Sequence, residues 1–175
     1  MVHLKMTPKT IQTTRDDFLV AGLAGLAITI HLLESALPSP VPGFKPGLAN
    51  VVTIIALIIF GWRTAAWLTF LRIVVGSLIF GSFLSPTFIL SLSGGLASIL
   101  VLGLAVSLPG RGLGPIGYSV VAAMVHMAAQ FYVAYQVFIP HPGLLHLVPI
   151  LMTAAVIFGL LSGMVCQAAL PHIKR

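Results

Sequence analysis

The chain has 175 residues, of which 58% are apolar and only 7% charged, and its formal charge is +6; its mean hydropathy is +1.10. Soluble domains hold roughly 25% charged residues, so a water-soluble fold is excluded, and the length suffices for about six membrane helices of roughly 20 residues with no additional soluble domain. The basic residues are dispersed at the ends of apolar runs and form no stripe, which argues against nucleic acid as a partner; the single cysteine, Cys166, excludes an internal disulfide framework and a cysteine-cluster metal site.

Residues 1–17 form a polar tail with Lys5, Lys9 and Arg15. The apolar run that follows could end a signal peptide, but Glu34 occupies the place of a cleavage region and further apolar runs follow, so an uncleaved first span is expected. Gly, Pro and charged residues then divide the chain into runs at 18–36, 48–61, 64–84, 88–107, 115–139 and 144–170. The expected fold is all-α: a polytopic membrane protein with one six-helix transmembrane domain over 18–171, flanked by the tail 1–17 and a short basic tail 172–175. The second run is short for a span and must tilt, enter from the Pro-rich loop or borrow residues from its neighbours. A β-barrel would need alternating polarity over about ten positions; Val51 to Phe60 and Ser98 to Val106 are almost continuously apolar instead.

With the N-terminus in the cytoplasm, Lys5, Lys9, Arg15, Arg63, Arg111, Lys174 and Arg175 all lie inside, and Lys45 alone lies outside. The positive-inside rule favours that orientation, with both termini cytoplasmic in a bacterial inner membrane. Small residues recur at helical spacing: Ala21 and Gly25 on the first run, Gly76 with Gly81 nearby on the third, and Gly159 and Gly163 on the sixth. They serve either close packing inside the bundle or docking of a partner membrane subunit.

Four groups of residues could carry function. His31 and Glu34 share a helix face at the outer end of the first run, and the stiff Pro-rich loop after them, with Gly43 and Gly47 as turning points, could act as a lid. Lys45 and Asn50 put a cation and an amide at the same outer level. Arg72 lies deep in its run, where a guanidinium costs about 2.5–3.5 kcal/mol on insertion scales and should face the bundle interior, paired with Glu34 or with an anionic ligand. Ser119, His126 and Gln130, spaced by seven and four, project from one face of the fifth helix. Ser93-Gly94-Gly95 on the fourth run permits a close helix contact or a local break. His31 with His126 is too little for a metal site, and no P-loop is present, so energy for any pumping must come from a partner or an ion gradient.

Glu34, the segment Gly43-Phe-Lys45-Pro-Gly47-Leu-Ala-Asn50, Arg72 with Gly76, Ser93-Gly94-Gly95, and Gly117-Tyr-Ser119 through His126 and Gln130 together resemble the bacterial Gx transporter family, also labelled heptaprenyl diphosphate synthase component I. Met127 departs from that pattern, in which an Asn commonly follows the His. The family is similar to the substrate-binding S components of energy-coupling-factor transporters. The resemblance implies a non-enzymatic, six-helix transport subunit without cofactor or bound metal, working with a transmembrane coupling subunit and separate ATPases. Its small, anionic or zwitterionic substrate would sit toward the outer face among Glu34, Lys45, Asn50, Arg72, Ser119, His126 and Gln130. The alternative is a membrane accessory component of heptaprenyl diphosphate synthase in isoprenoid or quinone synthesis; an Asp-rich diphosphate site is missing, which argues against a catalytic subunit.

Overall fold

A computed structural model describes residues 15–36, 49–107 and 113–173. The tail before residue 15, the Pro-rich loop with Lys45, the loop with Arg111, and Lys174 and Arg175 lie outside the described residues. Those described form helices α1 (Arg15–Ala36), α2 (Ala49–Phe60), α3 (Trp62–Ile79), α4 (Pro86–Ser107), α5 (Pro115–Val133) and α6 (Val148–Ile173). A π-helical turn, Ala134–Phe138, extends α5, and a 3-10 helix, Pro142–Leu147, leads into α6. There is no strand among the described residues.

The helix limits follow local chemistry. Pro86 and Pro115 open α4 and α5, where a missing N–H costs nothing. The Ser85 hydroxyl accepts from the Phe88 N–H at 3.3 Å, capping the first turn of α4. Between α3 and α4 the chain turns through Gly81 and Leu84, both with φ of 62°. Gly81, expected near the third run's packing face, therefore belongs to a turn.

Among the described residues, five helical segments are long and apolar enough to cross a membrane, and α2 is the exception. Its 12 residues rise about 18 Å, short of a hydrocarbon core of about 30 Å. Yet α2 is the most enclosed helix. Val51, Val52, Thr53, Ile54, Ile55, Ala56 and Leu57 are all buried, which over two turns means cover on every side. It packs on α1, α3, α5 and α6, while α1, α3, α4, α5 and α6 follow one another around it as an arc. The short second run is thus the axis of the bundle.

Gly61 alone joins α2 to α3, with φ 87° and ψ 176°, a backbone open to glycine and strained for other residues. The Thr53 and Thr69 hydroxyls, equally distant from it in sequence, meet at 3.3 Å. The two helices therefore fold back on one another as a tight hairpin. Polar rungs tie the other neighbours: Trp62 Nε1 donates to the Ile99 carbonyl at 2.7 Å, and Ser98 Oγ donates to Gly94 O at 2.8 Å and to Ala122 O at 3.1 Å. In lipid, where apolar association is weak, such bonds and close glycine contacts hold helices together.

The small residues divide into two sets. A Cβ on Gly163 would fall 2.6 Å from Ile116 Cα, and one on Gly159 2.9 Å from Val120 Cα, so both glycines let the α5 and α6 backbones meet. Gly22 and Gly25 have nothing within 4 Å, and with Ala21 they form an exposed face on α1.

Candidate functional site

Glu34 lies in the last turns of α1 and Arg72 in the middle of α3; they are only 6% and 7% exposed. Arg72 stands about 15 Å along its helix from Trp62, well inside any hydrocarbon layer. The two are within electrostatic reach of each other, as two ionisable groups at such depth need to be. One turn before Glu34, the His31 ring lies against α3 at Gly76, where a Cβ would stand 2.5 Å from its Cδ2. Glycine at 76 is what lets the imidazole approach the helix that carries Arg72.

The third wall is α5. His126 and Gln130 both rest on Gly94 of α4; a Cβ there would fall 2.8 Å from His126 Nε2 and 2.9 Å from Gln130 Cγ. The His126 ring lies against Gly94 of α4, and Arg72 and His31 are near it. A neutral imidazole donating from one nitrogen keeps the other as an acceptor. α4 runs unbroken through Ser93-Gly94-Gly95. Gly94 admits α5, and Gly95 faces α3, where a Cβ would stand 2.5 Å from Ile73 Cδ1.

One donor in this cluster is unsatisfied. Arg72 Nε is buried and has no hydrogen-bond partner among the described residues. Leaving a buried donor of a charged group unmade costs more than the 1–3 kcal/mol of a neutral one. An arginine held this way can accept an oxygen acceptor from a ligand without breaking a bond of its own.

Residues 23–169 match the family described as heptaprenyl diphosphate synthase component I. The chain belongs to that family. No curated protein and no solved structure matches it. The match runs from within α1 to within α6 and includes all the residues of the cluster, and it leaves out the N-terminal tail and the first eight residues of α1.

The residues expected at the site have different surroundings. Glu34, Arg72, His126 and Gln130 gather at the end of the bundle where α1 finishes. Asn50 is half-buried at the start of α2, and Lys45 lies outside the described residues. Ser119 is fully buried two turns from His126, with its Cβ 3.2 Å from where a Cβ on Gly163 would be, so it sits at the α5–α6 seam. Its hydroxyl has no hydrogen-bond partner among the described residues. His31, expected on the Glu34 face, and Gly76 and Gly94, expected as points of close packing, all join the cluster. Their signal was available: His31 is one turn from Glu34, and Gly76 one turn from Arg72. Among the described residues no three His, Cys, Asp or Glu side chains converge as metal ligands do.

Two cavities lie away from the cluster. One, of about 400 Å³, is an apolar groove between α3 and α4; the other, of about 440 Å³, opens beside Tyr118, Leu57 and Leu170 at the opposite end of the bundle.

Proposed function

We propose that this chain is the ligand-binding membrane subunit of a transport system, similar to the S components of energy-coupling-factor transporters, and that it takes a small anionic or zwitterionic molecule. The unsatisfied Nε of buried Arg72 carries this reading. A carboxylate or phosphate oxygen would accept from it, and a ligand ammonium would lie at Glu34. His126 and Gln130 supply neutral polar contacts; Lys45 and Asn50 belong to the set expected from sequence, and Ser119 of that set lies at the α5–α6 seam. The ligand enters from the outer face with both termini cytoplasmic, and α2 counts as the sixth span. The chain performs no chemistry of its own. Its energy comes from ATPases acting through a membrane partner, for which the open Ala21, Gly22 and Gly25 face of α1 is the docking surface.

Mass spectrometry of protein extracted gently from native membranes should find a retained small molecule that Arg72→Ala lacks, an affinity loss of about thirtyfold or more for one member of a buried charge pair. The double variant Glu34→Gln/Arg72→Gln removes both charges at once and separates loss of ligand from loss of fold. Retention of the same molecule by Arg72→Ala would overturn the assignment.

The family's description favours a second reading, an accessory subunit of heptaprenyl diphosphate synthase. Affinity recovery distinguishes them: a prenyltransferase without transporter subunits supports the accessory role.

A further inference from the structure

Both tryptophans of the chain, Trp62 and Trp67, line the groove between α3 and α4. Phe70, Leu92 and Leu96 continue its walls, and Gly95 with Ile73 forms its floor. Trp67 is 65% exposed and Leu96 50%, so the groove opens sideways from the bundle. Its lower end is fixed, because the Trp62 indole is bonded to the Ile99 carbonyl and rests on Gly103, where a Cβ would meet Nε1 at 2.5 Å. Thr69, the one hydroxyl in the lining, is already engaged with Thr53.

Arg63 stands at that same end, one residue beyond Trp62 and exposed. From Arg63 to Ile73 the helix rises about 15 Å, which is half of a hydrocarbon core of about 30 Å. The groove therefore has the depth of one leaflet, an apolar length and a cation at its mouth. An acyl chain has the matching apolar length, and a headgroup phosphate the matching charge.

We propose that the α3–α4 groove is a phospholipid site that holds one acyl chain of the leaflet beside the α2–α3 hairpin and pairs the anionic headgroup with Arg63. A zwitterionic headgroup places a compensating ammonium beside the phosphate and gains less from the guanidinium. The site is independent of the Glu34–Arg72 cluster, from which it is separated by the body of α3.

Because the tryptophans both line the groove, intrinsic fluorescence reads its occupancy. The full chain is reconstituted in phosphatidylcholine vesicles, and phosphatidylglycerol or phosphatidylcholine with brominated acyl chains is added at equal mole fractions. Brominated phosphatidylglycerol should quench at about fivefold lower mole fraction, the preference expected of one basic side chain at an anionic headgroup. Arg63→Gln should abolish the preference and Arg63→Lys should keep most of it. Equal quenching by both lipids, or a preference that survives Arg63→Gln, would overturn the proposal. So would a polyprenyl phosphate that protects the tryptophans while phosphatidylglycerol shows no advantage.

Discussion

Gly94 and Gly163 perform different work with the same missing side chain. At Gly163 an added Cβ meets the Ile116 backbone, which cannot move aside without separating α5 from α6. At Gly94 it meets the ends of His126 and Gln130, which can swing away. Gly163→Ala should therefore lower unfolding stability in detergent by about 1–3 kcal/mol, read by thermal or denaturant titration. Gly94→Ala should stay within about 1.5 kcal/mol of wild type yet retain the bound molecule about tenfold less well, the worth of one hydrogen bond involving a charged group. Equal effects on stability would show that Gly94 only packs. Sequence made Glu34 and Arg72 visible because charge is rare in an apolar run. It named His31 beside Glu34, and Gly76 and Gly94 as points of close packing, but not that His31 itself lies on Gly76 and that His126 and Gln130 lie on Gly94, which depends on how closely another helix approaches.

At the scale of helices, Pro86, Pro115 and the glycines marked most boundaries within a few residues, because those residues act on their own backbone. The role of α2 was not legible in the same way. An apolar surface on every side suits lipid and protein interior equally, and only shortness hinted that α2 needs neighbours at each end. Ser119 illustrates a related limit. It shares a helix face with His126 and Gln130, but α5 lies between α4 and α6, so one stripe meets different partners along its length. The strain held at Gly61 is testable: Gly61→Ala puts a Cβ on a backbone with φ 87°, where L residues pay about 1–3 kcal/mol. The α2–α3 hairpin should then open, seen as a longer spin-label distance between positions 53 and 69. An unchanged distance and stability would mean the turn tolerates a side chain.

For the whole molecule, alternation of the helices puts the α3–α4 turn and the start of α5 at opposite ends of the bundle. Cys166, the single thiol, is buried, so a Cys166→Ala background allows clean labelling of introduced cysteines. In intact cells, an impermeant maleimide should label a cysteine at Leu84 and spare one at Leu113, both exposed positions. The opposite pattern would invert the proposed orientation and put the Glu34–Arg72 cluster on the cytoplasmic side. Charge asymmetry supplied this expectation because topology is set by the basic residues of short loops.

The one-residue joint at Gly61 also bears on how the protein is made. A twelve-residue helix cannot lodge in hydrocarbon by itself, and a joint without slack gives it nowhere to wait in water. Insertion of α2 together with α3, as one hairpin, is the consequence expected of that joint. Among the described residues, the most deeply enclosed helix is thus the one too short to cross the bilayer alone.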